Sequence, residues 1–301
     1  MTPPPVLSEV LTSPIVTFIE SYLSTSRSSP LVVGISGPQG SGKTTLVNHL
    51  VSKLSGTYRV IAFSIDDIYL PHEELMELRR NHPYNKLLQY RGEPGTHDVQ
   101  LGIQTLDNLL EGKSTPIPVY DKSKYGGLGD RVTPSKWLTT QQKVDLVLFE
   151  GWCVGFKALP PSVVAEKRFI STHPGTLKHH AIEHLQFVNE KLKCYHALWD
   201  KFDCLVWLNA QDINFVYEWR LQQEHIMKAT LGQGMNDDEV KRFVDGYMPA
   251  YELYIPGLMR GEIFAEKDDK AILRIDYNSK REILAIQKGV IGNGIIWGDF
   301  S

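Results

Sequence analysis

The segment from Gly37 to Thr44, which reads GPQGSGKT, constrains the fold of this chain more than any other feature. It matches the pattern G-x-x-x-x-G-K-S/T, in which glycines let a short loop turn its backbone N–H groups toward a phosphate group. The apolar and β-branched run Leu31–Ser36 precedes it, and apolar residues at helical spacing follow it in residues 44–54. The pattern therefore predicts a strand, a phosphate-binding loop and a helix in direct succession.

The residue types of this loop suit a nucleoside triphosphate. Loop amides and the N-terminus of the next helix bind phosphate oxygens, Lys43 should reach the β and γ phosphates, and the Thr44 hydroxyl should hold Mg²⁺. The alternative is a glycine-rich connector with an exposed lysine, which would require all these residues to coincide at a strand-to-helix junction. The predicted nucleotide contacts are Gly37, Pro38, Gln39, Gly40, Ser41, Gly42, Lys43, Thr44 and Thr45.

Composition narrows the class of protein. Of the 301 residues, 42% are hydrophobic and 22% are charged, which is typical of a globular protein with a sizeable core. The net charge of −3 gives no general attraction to nucleic acid or to a membrane surface, so we expect neither as a partner. The three cysteines lack C-x-x-C spacing, the first residues show no basic start followed by an apolar stretch, and no segment has about 18 uninterrupted apolar residues. We expect a cytoplasmic protein; nuclear entry and oligomeric state stay open, and a monomer is compatible.

Five strand candidates alternate with helical patterns along the chain. Alternating strands and helices predict an α/β fold, namely a parallel five-stranded sheet with helices on both faces and ligands at the carboxyl ends of the strands. Together with the phosphate loop, this is the P-loop nucleoside triphosphate hydrolase fold, and we expect residues 1–301 to form one domain. The strand candidates are residues 31–36, 59–65, 144–149, 204–209 and 271–276.

Four segments lie outside this simple alternation. The first contains an amphipathic helix over residues 6–26 that we expect to be interrupted at Pro14. The third contains a His-rich stretch, residues 167–184, that we expect to be a mobile surface insertion. The four segments are 1–30, an N-terminal helical extension; 66–143, a substrate-binding insertion; 152–203, a helical insertion; and 212–230, a lid helix region.

Two adjacent carboxylates, Asp66 and Asp67, follow the second predicted strand at the sheet edge where the phosphate loop opens. Phosphoryl transfer to a hydroxyl needs a group that accepts the hydroxyl proton, and we predict that Asp66 has this role. Neighbouring strand-end side chains point in opposite directions, so only one of the pair readily faces the γ phosphate. The alternative role is to cap a helix that begins near Pro71, and for Asp67 we weigh the two roles equally.

The third predicted strand ends at Glu150. A buried apolar strand with a carboxylate at its tip resembles a Walker B element, in which the acid orients magnesium directly or through water. We therefore predict that Glu150 and Thr44 form the metal site. The alternative for Glu150 is a structural ion pair, since acids at strand ends are common in α/β sheets.

Two glycine-hinged loops, residues 90–98 and 119–131, lie between Asp66 and Glu150 in the sequence. They carry cations and aromatic rings, a combination that suits a small anionic acceptor. Arg91, Lys122, Lys124 or Arg131 could pair with a carboxylate, Asp98 could accept hydrogen bonds from hydroxyls, and Tyr120 could line the site. The alternative for each lysine is a solvated, flexible loop. The arginines lie beside glycines and are the stronger candidates.

A helical pattern over residues 212–230 carries Arg220. A cation that closes over the triphosphate would neutralise the charge that develops during transfer, and we predict this role for Arg220. The alternative is a surface ion pair with Glu224, which lies four residues further along the same helix.

Together these motifs resemble the D-glycerate 3-kinase family of plants and fungi, within the P-loop kinases that include phosphoribulokinase, uridine kinase and pantothenate kinase. The resemblance extends over residues 31–258. Besides the phosphate loop, it is carried by residues 64–69, 90–98, 118–123, 129–131, 149–152, 219–222 and 247–251.

This resemblance implies transfer of the ATP γ phosphate to the 3-hydroxyl of D-glycerate, a small hydroxy acid, to give 3-phosphoglycerate. It implies ATP and Mg²⁺ as cofactors, with Lys43, Asp66, Arg220 and Glu150 at the matching motif positions. Two alternatives stay open. One is a kinase for another small acceptor, such as a nucleoside or pantothenate, although the basic loops favour a compact acid. The other is a non-catalytic module that uses ATP occupancy as a switch.

Overall fold

A sheet of seven strands forms the centre of the fold, and two short strands form a separate hairpin. The computed structural model describes residues 9–25, 27–140, 143–172, 175–231, 234–264, 270–292 and 294–300. The strands are β1 (Leu31–Ser36), β2 (Val60–Ser64), β3 (Tyr120–Asp121), β4 (Asp130–Arg131), β5 (Leu146–Gly151), β6 (Cys204–Ala210), β7 (Ala271–Tyr277), β8 (Ile283–Gly292) and β9 (Gly294–Asp299). The order in the sheet is β2-β5-β1-β6-β7-β8-β9, and β3 and β4 form the hairpin.

All five predicted strands are present, and they pair in parallel, which confirms the predicted fold class. The predicted strand number was two too low, because β8 and β9 extend the sheet in antiparallel fashion beyond β7. Strands β1 and β5 are buried along their whole length, whereas β9 is half-buried or exposed throughout. Antiparallel strands can leave one face in solvent and need no continuous apolar run, and that run is the signal by which buried parallel strands are recognised in a sequence.

Helices cover both faces of the sheet, and alternate residues of β5 show how the two cores divide. Leu146 and Leu148 pack with α1 and α2, whereas Val147 and Phe149 pack with α4, α6 and α10. We find no helix among the described residues with the length and apolarity that a bilayer span requires. The helices are α1 (Glu9–Leu23), α2 (Lys43–Leu54), α3 (His72–Asn81), α4 (Val99–Leu110), α5 (Pro161–Ile170), α6 (Ile182–Leu192), α7 (His196–Trp199), α8 (Phe215–Leu231), α9 (Asp237–Asp245) and α10 (Met248–Met259).

The N-terminal helix differs from the prediction, because α1 continues through Pro14 without interruption. Proline removes one intrahelical N–H donor, but Ile15 and Phe18 are completely buried beneath the sheet and hold the helix in place. Residues 6–8 and Ser26 of the predicted helix lie outside the described residues.

The His-rich stretch, residues 167–184, also differs from the expected mobile insertion. Thr176 donates from both its backbone N and its Oγ1 to Glu252 Oε1 at 2.7 Å, and Leu177 is buried. These contacts attach the stretch to α10. His173 lies outside the described residues.

Candidate active site

The phosphate loop spans residues 37–42, between the end of β1 and the start of α2. Gly40 and Gly42 have φ angles of 76° and 91°, in the left-handed region that favours glycine. A Cβ on Gly40 would lie only 2.7 Å from the Cβ of Trp219, whereas the space beside Gly42 is open. Glycine is therefore required at residue 40 for both conformation and space, and the loop leaves room for a ligand at residue 42.

Thr44 and Glu150 lie side by side next to this loop. Strands β1 and β5 pair with Ile35 opposite Glu150, which brings the end of β5 to the base of the loop. Thr44 Oγ1 donates to Glu150 Oε1 at 3.0 Å, and the Glu150 side chain is almost fully buried. Burial raises the pKa of Glu150, and the positive charge of Lys43 opposes this shift. Two oxygen atoms that suit Mg²⁺ thus lie adjacent to the phosphate loop.

Lys43 is the first residue of α2, and its ammonium group folds back along the loop. Its Nζ donates to the carbonyl oxygen of Pro38 at 3.0 Å. Burial lowers the pKa of Lys43, while the charges of Glu150 and Asp66 act in the opposite direction. The lysine therefore lies within the electrostatic reach of both acids that the sequence analysis selected.

Asp66 lies at the same end of the sheet, because β2 pairs with β5 so that Ser64 is opposite Glu150. Its Oδ1 accepts a hydrogen bond from the Tyr69 hydroxyl at 2.9 Å, and its Oδ2 accepts one from Lys122 Nζ at 2.5 Å. Burial disfavours the charged form, but the contributions of Lys122 and Tyr69 outweigh it, and the pKa of Asp66 is lowered. The carboxylate is thus held ionised and oriented by two donors.

Asp67 has a local structural contact instead. Its Oδ2 accepts from the backbone N–H of Ser64 at 2.8 Å and completes a capping box on the 3₁₀ helix Ile65–Ile68. Burial raises the pKa of Asp67 to about 6. The predicted capping alternative assigned the wrong helix, since α3 follows Pro71 without any side-chain cap.

Arg91 and Tyr120 brace the loop that carries Lys122. The Arg91 guanidinium donates to the carbonyl oxygens of Gly127 and Leu128, both at 2.6 Å. It also lies over the rings of Tyr69 and Tyr120, at 5.9 Å and 5.6 Å from their centroids. In this structure the donors of Arg91 are directed at the protein's own backbone.

Arg131 and Asp98 form a second brace across the same region. The Arg131 guanidinium donates to Asp98 Oδ2 at 3.1 Å and to the carbonyl oxygen of Tyr69 at 2.9 Å. The other carboxylate oxygen of Asp98 accepts from the backbone N of Leu101 at 3.0 Å and caps α4. The structure therefore gathers Arg91, Asp98, Tyr120, Lys122 and Arg131 near Asp66, and all of them except Lys122 hold the loops through their own hydrogen bonds.

Arg220 pairs with Glu224, as the alternative expectation described, but the pair is not on the surface. The Glu224 side chain is completely buried, and the guanidinium also donates to Gln223 Oε1 at 2.9 Å and lies 5.0 Å from the centroid of the Phe243 ring. Burial raises the pKa of Tyr247, Asp66 raises it further and Arg220 lowers it. Arg220 and Asp66 thus act on the same tyrosine from different elements.

Three contacts at the site involve residues that the sequence analysis did not select. Arg281 Nε donates to the carbonyl oxygen of Gly40 at 2.7 Å, the Tyr251 hydroxyl accepts from the backbone N of Gln39 at 3.2 Å, and Tyr69 contacts Asp66. Both tyrosines lie in motif segments that carried the family resemblance and could have been selected. No motif contains Arg281, which lies in the turn between β7 and β8.

Several known proteins with similar sequences and structures are named kinases. A protein of Schizosaccharomyces pombe named "Uncharacterized kinase mug58" is 43% identical over 252 residues, which are 82% of this chain and 88% of the relative. The solved structure of D-glycerate 3-kinase from Cryptococcus neoformans is 36% identical, covers 92% of this chain and 98% of its own, and superposes with a TM-score of 0.82. This chain belongs to the D-glycerate 3-kinase family. No protein-family model matches it.

The family also has a plant member of similar sequence. The chloroplastic D-glycerate 3-kinase of Arabidopsis thaliana is 41% identical over 258 residues, which are 84% of this chain but only 53% of the plant protein. These comparisons confirm the predicted resemblance, fold class and kinase activity, and use of ATP follows from the family. The roles of individual site residues stay predictions.

Proposed function

We propose that this kinase transfers the γ phosphate of ATP to the 3-hydroxyl of D-glycerate and forms 3-phosphoglycerate. The observation that carries the proposal is the geometry around Asp66, whose carboxylate contacts Lys122 and Tyr69 at the sheet end where the phosphate loop opens. An ionised acid beside a basic loop suits an acceptor that is both an alcohol and an anion. The name of the solved relative from Cryptococcus neoformans supports the same acceptor.

We further propose that Mg²⁺ accompanies ATP. The Thr44 hydroxyl and the Glu150 carboxylate fit this cation, which prefers oxygen ligands, and the open space beside Gly42 fits the phosphates. Bound Mg²⁺ would neutralise charge between the β and γ phosphates.

In this proposal Asp66 accepts the proton of the 3-hydroxyl as the oxygen–phosphorus bond forms. Each carboxylate oxygen of Asp66 has one donor in the structure, and each retains a lone pair for the substrate hydroxyl. Lys43 would neutralise the phosphates. Arg220 would leave Glu224 when residues 212–230 close as a lid, and it would then face the transferred phosphoryl group.

Acceptor recognition would come from residues 66–143, with Lys122 nearest the reacting hydroxyl and with Arg91 and Arg131 shaping the loops around it. We also propose that residues 1–301 form one domain and that the binding partner of this protein is a small molecule. A cytosolic location is supported by the three cysteines, all of which are free thiols.

A panel of acceptors tests the assignment. Purified protein with Mg-ATP is incubated separately with D-glycerate, L-glycerate, uridine and pantothenate, and ADP and the phosphorylated product are measured. We expect turnover with D-glycerate and a product phosphorylated at the 3-position. Consumption of uridine without consumption of glycerate, or no turnover with any acceptor, would contradict the proposal.

A further inference from the structure

His97 has one ring nitrogen that the fold leaves without a partner. The side chain is 6% exposed, and its Nδ1 lies 2.6 Å from the Tyr195 hydroxyl oxygen. Its Nε2 is buried and has no hydrogen-bond partner among the described residues. A buried polar atom without a partner costs free energy, and in a native protein such an atom requires an explanation, of which a functional role is one.

The hydrogen bonds around Tyr195 decide which nitrogen of His97 carries the proton. The Tyr195 oxygen accepts from the backbone N–H of Gly95 at 3.0 Å, so its own O–H is free to donate to His97 Nδ1. With the other tautomer, that O–H would have no acceptor among the described residues. Nδ1 is therefore an acceptor, and the ring proton lies on Nε2. Burial lowers the pKa of His97 to about 3, so the ring is neutral at pH 7.

The position of His97 relates this donor to the proposed site of transfer. The imidazole stacks on the Tyr69 ring, with 4.4 Å between centroids and 21° between planes, and the backbones of the two residues form a β-bridge. The Tyr69 hydroxyl donates to Asp66, and the charge of Asp66 raises the pKa of His97 against the effect of burial. His97 thus packs against the residue that donates to the Asp66 carboxylate, within the electrostatic reach of that carboxylate.

We propose that His97 is a substrate-binding residue whose Nε2–H donates a hydrogen bond to a non-reacting oxygen of the acceptor, and that Tyr195 is the positioning residue that fixes its tautomer. The inference rests on the proposed function, since it assumes that the acceptor lies beside Asp66. A neutral donor has a specific use here, because a second cation beside Lys122 would compete for the Asp66 carboxylate that must accept the proton.

A matched pair of variants tests this role. Glutamine places its amide nitrogen near the position of Nε2, whereas asparagine places its amide near Nδ1. We expect His97→Asn to raise the KM for the acceptor by about tenfold or more, and His97→Gln to raise it by less than about threefold. The KM for ATP should stay within about twofold in both variants, because the lost contact is to the acceptor alone. An unchanged acceptor KM in His97→Asn would overturn the proposal.

To identify the acceptor oxygen that His97 binds, we use the analogue 3-hydroxypropanoate, which lacks the 2-hydroxyl of glycerate. If the KM ratio between His97→Asn and wild type persists with this analogue, the carboxylate is the partner. If the ratio disappears, the 2-hydroxyl is the partner.

The tautomer is tested without turnover, by ¹⁵N NMR of the full chain labelled at histidine. We expect a protonated Nε2 and an unprotonated Nδ1 at pH 7, and a shift of the Nε2 resonance when the acceptor is added without ATP. Tyr195→Phe keeps the imidazole and should redistribute the proton between the nitrogens, with a raised acceptor KM. A protonated Nδ1 in the wild type would contradict the proposal even if the asparagine variant does not fold.

The experiments distinguish failure of the proposed function from failure of the proposed role of His97. Wild-type turnover of D-glycerate tests the proposed function alone. If the wild type uses another acceptor from the panel, the same KM ratios are measured with that acceptor.

Discussion

Lys122 Nζ lies 2.5 Å from Asp66 Oδ2, although 56 residues separate them in the chain. The Lys122 side chain is 55% exposed and that of Asp66 is 28% exposed, so solvent screens the pair and its contribution to stability is small. The Lys122–Asp66 pair has a larger effect on the protonation of Asp66 than on stability. The ammonium and the Tyr69 hydroxyl together lower the pKa of the Asp66 carboxylate against the effect of burial.

Lys122→Met should shift the acid limb of the pH profile. Without the ammonium, burial is no longer opposed as strongly, and the pKa of Asp66 rises. The carboxylate is then protonated at higher pH, so kcat/KM falls at a higher pH than in the wild type. Lys124→Met is the matched control, because Lys124 pairs with Asp130 and not with Asp66. An acid limb at the same pH in Lys122→Met and wild type would refute this explanation.

Lys122→Met should also lower the free energy of unfolding, by an amount that depends on pH. The folded-state pKa of Asp66 lies below its unfolded value, so ionisation contributes stability above the unfolded pKa that is lost as the pH falls through the folded pKa. The stability gap between wild type and Lys122→Met should therefore be present at neutral pH and close in acid. Urea unfolding at several pH values measures it.

Asp66→Asn should reduce kcat by about 10²-fold to 10⁴-fold, the usual contribution of a positioned proton acceptor. The KM for ATP should change little, because Asp66 contacts the acceptor side of the site. Asp67→Asn is the neighbouring control, since its amide oxygen can still accept from the Ser64 N–H. Equal losses of kcat in both variants would show that the carboxylates are not distinguished as we propose.

Glu150→Gln should raise the concentration of Mg²⁺ needed for half-maximal activity by about tenfold or more, because an amide oxygen is a weaker ligand for the cation or its water shell. Thr44→Val should have an effect in the same direction, and Thr44→Ser, which keeps the hydroxyl, should resemble the wild type. Calorimetry of Mg-ATP binding gives a second readout. Unchanged Mg²⁺ dependence in Glu150→Gln would place the cation elsewhere.

Arg220→Met should lower the free energy of unfolding by about 3 kcal/mol, because Glu224 would remain buried without its cation. The double variant Arg220→Met/Glu224→Gln removes both charges and keeps an acceptor for the backbone N of Met235. We expect it to recover most of the stability but not kcat, if Arg220 acts on the phosphoryl group. Urea unfolding and steady-state kinetics separate the two effects, and a wild-type kcat in the double variant would exclude the catalytic role.

Arg281 combines an unusual backbone conformation with a contact to the phosphate loop. Its φ is 62°, which costs a non-glycine residue free energy, and its guanidinium holds the Gly40 carbonyl. We expect Arg281→Gly to be more stable than Arg281→Ala by about 1 kcal/mol, because glycine adopts this φ without strain. Both should raise the KM for ATP by a similar factor. If neither variant changes that KM, the guanidinium has no influence on the nucleotide site.

Much of the fold follows from local patterns. Strands β1, β5 and β6 are continuous apolar runs, and the glycines, lysine and threonine between β1 and α2 have one established use. Because parallel strands end at the same edge, the sequence also indicated that Asp66 and Glu150 lie near the loop. Strands β8 and β9 lacked a comparable signal, because antiparallel strands can leave one face in solvent and need no continuous apolar run.

The sequence did not predict which side chains contact each other, because these contacts join elements that are far apart in the chain. The sequence named Lys122, Arg91 and Arg131 as candidates for binding an anionic acceptor and favoured the two arginines. The folded chain directs Lys122 to Asp66, Arg91 to the backbone at Gly127, and Arg131 to Asp98. Residue types and their order along the chain were thus sufficient for the parallel part of the sheet, the phosphate loop and the class of chemistry. Long-range packing decides which cation pairs with which carboxylate and which ring nitrogen of His97 carries the proton, and no local pattern encodes that packing.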